Sequence, residues 1–281
     1  MRGAVVAVLI VSAARPSTCF SVGGGLTGAG ITAFLGWAFQ GVGPSQAAKA
    51  TIQQGFEPET VGRLNALLFG GPEPVLALFC GAKIRRESYA PLAQDFLEQL
   101  GRPEAGVLIL QSPFNIYAFK PSSVTKVLNE YPSVECVAGH SIGGLWAAEF
   151  CRDLHAAGDW PSGDLSFFHM GVHGKGVSLK PFKELPFRRV GWSYASEDCT
   201  LLRAAGGAQA VAAYVEGVRD ELPTDRATVY EIPGGNHEQY GSYGSPGFAQ
   251  GLAYESNPAT ISEEEQRSIV ASALVATMRG V

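Results

Sequence analysis

The sequence places one serine at a turn between glycines, where its hydroxyl could act as a nucleophile. Residues 134–150 read VECVAGHSIGGLWAAEF: an apolar run, a tight turn around Ser141 and a segment with helical spacing. Such a strand–turn–helix exposes the serine hydroxyl, and the flanking glycines avoid collisions because they have no Cβ atom. The motif G-x-S-x-G is weak in a chain with 35 glycines, so its context carries the interpretation. The competing interpretation is a serine that only caps the helix.

A serine hydroxyl becomes a good nucleophile only beside a base that an acid orients. Asp198 comes shortly after a later apolar run, and His237 lies in a glycine-rich loop after the last such run. In a parallel sheet these strand ends share one edge, where the side chains can meet. We therefore predict a catalytic triad of Ser141, Asp198 and His237. Glu197 is the competing acid, but Asp198 lies deeper in its loop and aspartate is the commoner choice.

The tetrahedral intermediate of such a reaction also needs hydrogen-bond donors for its oxyanion. The backbone amide of Ile142, directly after the serine, is one expected donor. The second is expected from the loop at residues 79–83, where Gly81 lets the backbone turn inward and the Ala82 amide is the candidate. Lys83 is expected to face solvent or the rim of the substrate site.

The four other histidines offer no comparable position. His140 lies inside the turn, with its side chain expected along it, and His155 ends a predicted helix. His169 and His173 have i, i+4 spacing, but no carboxylate or cysteine joins them at metal-ligand spacing. Neither a metal nor an organic cofactor is therefore expected.

Composition excludes some classes of partner. The 281 residues carry a formal net charge of −5, and the basic residues are scattered, so a nucleic-acid partner is not expected. The five cysteines lack C-x-x-C spacing, and Cys80 and Cys136 lie in apolar runs where they are expected to be small buried side chains. The expected partner is a small-molecule acyl substrate.

The N-terminus resembles a targeting sequence. Residues 1–20 combine a basic start with a short apolar core, as a cleaved signal does. Residues 21–55 form a glycine-rich segment, uncharged as far as Ala48, in which residues 31–43 could contact a membrane peripherally or belong to a bipartite organelle-targeting sequence. The sequence thus predicts the secretory pathway or a plastid, with the folded domain at residues 56–281 and its first element near Pro58.

Apolar runs and helical spacings alternate through that domain, which predicts an α/β fold with a mostly parallel central sheet and helices on both faces. Two early runs, residues 64–69 and 75–79, flank a Gly-Pro-rich turn and predict a hairpin. The connection from Met170 to Arg188 is too short for a large cap domain. Further strands are predicted at residues 107–110, 134–138, 165–170, 189–194 and 228–232. Helices are predicted at 89–100, 122–131, 209–222 and 262–278, and from the turn at 139–143 to about His155.

Two segments are candidates for the substrate wall. One is the loop at residues 112–115, with Phe114 and Asn115. The other is the long segment 238–257, with Tyr240 and Tyr243, whose alternative interpretation is an ordered surface loop packed on its own aromatic side chains.

In the residues around Ala82, Ser141, Asp198 and His237, the chain resembles the α/β-hydrolase superfamily, and within it the α/β-hydrolase fold-5 family. The resemblance spans residues 75–278, and it implies a serine hydrolase with Ser141 as nucleophile, Asp198 as acid and His237 as base. Cys80 departs from the proline that is more usual in the family. The matching motifs are CGAK at 80–83, SPFN at 112–115, GHSIGG at 139–144, ASED at 195–198 and GGNHEQYGSYG at 234–244.

The sequence thus leads to one main functional hypothesis and two alternatives. The main hypothesis is hydrolysis of a carboxylic ester or related acyl bond through an acyl-serine intermediate. An acyltransferase or thioesterase would use the same triad with a different acceptor or leaving group. A non-catalytic binding scaffold with the same fold is the third.

Overall fold

The computed structural model describes residues 41–53, 59–61, 66–111, 130–160, 164–173, 178–243 and 257–281. The predictions for residues 1–40 and for Phe114 and Asn115 lie outside these ranges, as does most of the helix predicted at 122–131. Within the described ranges, no helix is long and apolar enough to cross a membrane.

A single eight-stranded sheet forms the centre, in the spatial order β1-β2-β4-β3-β5-β6-β7-β8. β2 pairs antiparallel with β1 and with β4, and all pairs from β4 to β8 are parallel. The carboxyl ends of β3 to β8 consequently share one edge. The strands are β1 (Glu59–Val61), β2 (Ala66–Gly70), β3 (Glu73–Phe79), β4 (Ala105–Leu110), β5 (Cys136–His140), β6 (Ser166–Met170), β7 (Val190–Ala195) and β8 (Ala227–Ile232).

Helices cover both faces of this sheet, as predicted. Along β3, Leu76 and Leu78 pack into one hydrophobic layer while Ala77 and Phe79 pack into the other, because successive side chains point to opposite faces. The first layer is completed by α2 and α6, and the second by α3, α4 and α5. The helices are α1 (Gln46–Gln53), α2 (Ala90–Leu100), α3 (Ile142–Ala157), α4 (Cys199–Ala205), α5 (Val211–Glu221) and α6 (Glu263–Arg279).

The predicted hairpin between the first two apolar runs is wrong. β2 pairs with β4, and β4 lies between β2 and β3. The physical reason lies in β3, where every residue after Glu73 is buried, since a strand apolar on both faces fits the centre of a parallel sheet.

The other predicted strands from residue 107 onwards are confirmed, with boundaries shifted by a few residues. The absence of a large cap is also confirmed, because residues 171–189 join β6 directly to β7 and their described part includes a short 3₁₀ turn at Lys180–Lys183.

Two short helices, α1 and α4, were not predicted. The fold also begins before the expected start near Pro58, because Val42 and Ala48 are buried.

Residues 41–45, here called the N-terminal strap, cross the edge that carries the strand ends. Val42 pairs with Ile84 in a parallel bridge, and Pro44 pairs with Tyr243 in an antiparallel bridge. The Ser45 amide donates to the Ser242 carbonyl at 2.9 Å. The strap therefore ties the loop after β3 to the segment that follows His237.

Candidate active site

The predicted turn between strand and helix exists, and its backbone is strained. Ser141 lies between β5 and α3 with φ 54° and ψ −129°, a region that residues other than glycine rarely adopt. The flanking glycines are required because a Cβ atom at either position would collide with neighbouring backbone atoms. A Cβ atom on Gly143 would lie 2.3 Å from the Cys80 carbonyl oxygen, and one on Gly139 would lie 2.5 Å from the Gly144 Cα. The turn therefore packs directly against the loop after β3.

Asp198 and His237 meet in a direct hydrogen bond. His237 Nδ1 lies 2.8 Å from Asp198 Oδ2, and the carboxyl group is 0% exposed. The other oxygen, Oδ1, accepts from the Thr200 amide at 2.7 Å and from the Leu201 amide at 3.2 Å, so Asp198 also caps α4. Glu197, the competing acid, accepts a hydrogen bond from Ser196 instead.

Each member of this pair shifts the pKa of the other. Burial alone would raise the pKa of Asp198, but the nearby His237 and the hydrogen bonds hold it well below 3.8. Burial alone would lower the pKa of His237, but the Asp198 carboxylate raises it above the ordinary 6.5. Asp198 is therefore ionised near neutral pH, and it accepts from Nδ1–H of His237. That tautomer leaves Nε2 of a neutral His237 free of a proton.

Ser141 lies at the same edge of the sheet as this pair. It follows His140 directly, and the ring centroids of His140 and His237 are 4.8 Å apart. Ser141 follows β5, Asp198 follows β7 and His237 follows β8, so all three lie at the shared carboxyl edge of the sheet. The structure thus brings Asp198 and His237 into contact and puts Ser141 next to a side chain that touches His237.

The two predicted oxyanion donors also come from elements that touch. Ile142 is the first residue of α3, and Ala82 is half-buried in the loop after β3, which packs on Gly143. Lys83 corrects an expectation, because it is 1% exposed and does not face solvent. Its backbone has φ 65°, and burial lowers the pKa of its amine to about 8.

Of the two wall tyrosines, the prediction for Tyr240 is wrong. It is 0% exposed, its ring lies 5.2 Å from that of His140, and its hydroxyl lies 3.3 Å from Ser193 Oγ. The reason is the 3₁₀ turn at Glu238–Tyr240, which directs the ring inward beneath the site. Tyr243 is half-buried against the core, and its place in the wall stays a prediction.

Two histidines have surroundings that the sequence analysis missed. The His140 ring does not lie along the turn but is buried in the domain, where Nδ1 contacts Tyr89 and Nε2 contacts the His237 carbonyl. His173 Nε2 lies 3.5 Å from Asp198 Oδ2. The position of His173, three residues after β6, was the available signal. In the described part of the chain, no group of three or more His, Cys, Asp or Glu side chains could hold a metal ion.

Comparisons with known proteins find solved structures to which this chain is similar. Three similar solved structures are carboxyl esterase 2 of the fungus Tuber melanosporum, a thermostable esterase of Pseudomonas putida and an esterase of Pyrobaculum calidifontis. Their identities to this chain are 11%, 14% and 13%, with TM-scores of 0.46, 0.44 and 0.46. The alignments cover 77%, 75% and 88% of this chain and 81%, 77% and 92% of the other chains. No curated protein matches the chain.

The sequence model of the "Alpha/beta hydrolase family" matches residues 75–158. This region runs from β3 to the end of α3 and includes the loop with Ala82 and the turn with Ser141. The match supports hydrolase activity in general. The sheet order and the turn around Ser141 are those of the α/β-hydrolase fold, and over residues 75–158 the chain is similar to the alpha/beta hydrolase family.

Proposed function

We propose that this protein is a serine hydrolase that cleaves a carboxylic ester or a related acyl bond through an acyl-serine intermediate. The observation that supports the proposal most strongly is the buried hydrogen bond from His237 to Asp198, at the sheet edge that also carries Ser141. A buried carboxylate that orients an imidazole beside a serine on a strained turn is the arrangement that activates a hydroxyl.

In the first half of the proposed reaction, His237 Nε2 takes the Ser141 hydroxyl proton while Oγ bonds to the substrate carbonyl carbon. The carbonyl oxygen becomes an oxyanion, to which the Ile142 and Ala82 amides donate. The bond to the leaving oxygen then breaks, and His237 gives its proton to the departing alcohol. Water repeats the sequence on the acyl-serine, which releases the acid and restores Ser141.

Asp198 supports both halves without exchanging a proton. Its ionised carboxylate keeps the Nδ1–H tautomer of His237 and stabilises the imidazolium that forms twice in each cycle. The raised pKa of His237 expresses that stabilisation. The amides that cap Asp198 hold the carboxylate in place during the cycle.

The experiment is an ester panel of increasing acyl length, assayed on the wild type and on Ser141→Ala. We expect the variant to lose kcat by several orders of magnitude, since removal of a triad serine costs on the order of a millionfold in a protease. A fluorophosphonate probe should label the wild type and the exposed-serine control Ser272→Ala, but not Ser141→Ala. Unchanged hydrolysis or labelling in Ser141→Ala would refute the proposal.

A further inference from the structure

A continuous chain of hydrogen bonds runs beneath the site, from the loop after β3 to the segment that carries His237. The Gly81 amide donates to Tyr89 Oη at 2.8 Å, and Tyr89 Oη lies 2.8 Å from His140 Nδ1. At the other side of the ring, His140 Nε2 lies 3.1 Å from the His237 carbonyl oxygen. Tyr89 is 0% exposed and His140 is 1% exposed, so water does not compete for these groups.

The chemistry of these groups fixes the position of each proton. A carbonyl oxygen only accepts, so His140 Nε2 must carry the hydrogen that it donates to His237. Burial, and to a smaller extent the neighbouring His237, lowers the pKa of His140 well below 6.5, so the ring is neutral and Nδ1 is a bare acceptor. Tyr89 therefore donates its hydroxyl proton to Nδ1 and accepts from the Gly81 amide. The donor and the acceptor of each hydrogen bond between Tyr89, His140 and their partners are thus determined.

Gly81 packs closely against the side chains of Tyr89 and His140. A Cβ atom on Gly81 would lie 2.8 Å from His140 Nδ1 and 3.1 Å from Tyr89 Oη, so the glycine allows the loop to lie against both side chains. The Gly81 amide is already used by Tyr89. The next amide, that of Ala82, is the one proposed for the oxyanion, so its position depends directly on the Gly81 contact.

We propose that Tyr89 and His140 are positioning residues, which hold the Ala82 amide and the His237 imidazole at fixed places on either side of Ser141. The inference rests on the proposed function, because it concerns the donors and the base of that reaction. His140 is the neighbour of Ser141 in the chain, so one side chain links the nucleophile, the oxyanion loop and the base. Both side chains are buried, so neither is accessible to the substrate.

The first test is Tyr89→Phe, which removes one hydroxyl and leaves the ring. The buried Gly81 amide and His140 Nδ1 then lose a shared partner, and the loop is no longer fixed. We expect kcat to fall about tenfold or more while KM stays within about threefold, because the loss acts on the transition state. Tyr194→Phe is the matched control, since its hydroxyl bonds to Glu231 between β7 and β8. A Tyr89→Phe variant with kcat within about twofold of the wild type would overturn the inference.

A second pair of variants keeps the test decisive if Tyr89→Phe folds poorly. His140→Gln keeps an acceptor and a donor, whereas His140→Leu keeps neither at similar volume. We expect the glutamine variant to retain at least about tenfold more kcat than the leucine variant. Equal kcat values in the two variants would mean that His140 serves only as packing.

Nitrogen-15 NMR of the wild type tests the hydrogen-bond chain without any substrate. We expect His140 to show a bare Nδ1 and a protonated Nε2, and Tyr89→Phe to change the Nδ1 signal. A protonated Nδ1 would overturn the inference. If the wild type neither hydrolysed esters nor reacted with the fluorophosphonate, the proposed function would fail and the positioning role with it, while the NMR result would still report on the chain of bonds.

Discussion

The two carboxylate oxygens of Asp198 have separate partners. Oδ2 orients His237, while Oδ1 accepts from the backbone at the start of α4. A short helix thus fixes the acid, and its N-terminal amides favour the ionised form. Asp198 thus orients the imidazole from its Nδ1 side.

Replacement of Asp198 by asparagine should show how much the negative charge of this side chain contributes to kcat, because the two side chains have nearly the same shape. The asparagine oxygen can still cap α4, but the side chain no longer carries the charge that fixes the His237 tautomer. We expect kcat to fall about ten-thousandfold, as it does when the orienting aspartate of a protease triad is replaced. Steady-state ester hydrolysis measures the effect, and Glu197→Gln serves as the control. A Glu197→Gln loss as large as that of Asp198→Asn would contradict the assignment of the acid.

The pKa of His237 predicts how activity depends on pH. The base must be neutral to accept a proton, and its pKa in the fold lies above 6.5. We therefore expect kcat/KM to rise with pH through a midpoint above 6.5, and to reach a plateau at higher pH. In Asp198→Asn the midpoint should move to lower pH, because the charge that raises the pKa is gone. A flat profile from about pH 5 to about pH 8 would exclude His237 as the base.

At the scale of elements, the short connection after β6 packs closely against Asp198 and His237. Gly171 has φ 58°, and a Cβ atom there would lie 2.9 Å from the Tyr240 ring and 3.3 Å from Asp198 Oδ2. The connection can lie this close to the Asp198–His237 pair only because residue 171 is a glycine.

Gly171→Ala should therefore lose activity as well as stability. A residue with a side chain pays roughly 1–2 kcal/mol for this backbone conformation. Gly158→Ala is the matched control, because Gly158 has φ 75° and nothing lies within 4 Å of a Cβ atom there. We expect both variants to unfold at lower denaturant concentration, but only Gly171→Ala to show reduced kcat. Equal kcat in the two variants would show that the Gly171 contact does not support the site.

The sequence predicted the parallel strands because buried strands are continuous apolar runs, as residues 75–79 and 107–110 illustrate. It did not predict that β2 skips β3 to pair with β4, because pairing between neighbours in sequence is the simplest expectation and strand order depends on packing. The helix α4 was missed for a related reason, since seven residues give little periodicity.

The sequence likewise predicted some parts of the candidate site and missed others. Ser141, Asp198 and His237 could be named because each follows a predicted strand, and the order of the three types along the chain is informative. The surroundings of His140 could not be foreseen from the sequence. Its ring contacts Tyr89 and the His237 carbonyl oxygen, which lie 51 and 97 positions away along the chain. The prediction that Tyr240 lines the substrate wall failed because the tertiary structure, and not the local sequence, determines where a side chain points after a turn.

At the scale of the whole molecule, the N-terminal strap joins two distant parts of the chain. Val42 exchanges backbone hydrogen bonds with Lys83 and Arg85, and Ser45 bonds to Ser242. Arg267 on α6 contacts Ser242 Oγ from the other side, at 3.5 Å. The segment that follows His237 is thus held from two directions.

A comparison of two shortened chains tests the strap. The chain that begins at residue 46 lacks the three backbone hydrogen bonds of the strap, worth about 3 kcal/mol in all, which the chain that begins at residue 41 retains. We expect Tm of the shorter chain to be lower by roughly 5–10 °C, measured by calorimetry, and its kcat to be lower as well. Equal Tm values would show that the strap adds no stability.

The strap also bears on the order in which the molecule can be assembled during synthesis. Pro44 is translated about two hundred residues before Tyr243, its partner. The bridge between them can form only after the chain has been made as far as Tyr243. A nascent chain stalled before that point therefore contains the turn around Ser141 but lacks the bridge from the N-terminal strap, so the sheet edge that carries this turn is completed only after Tyr243 has been made.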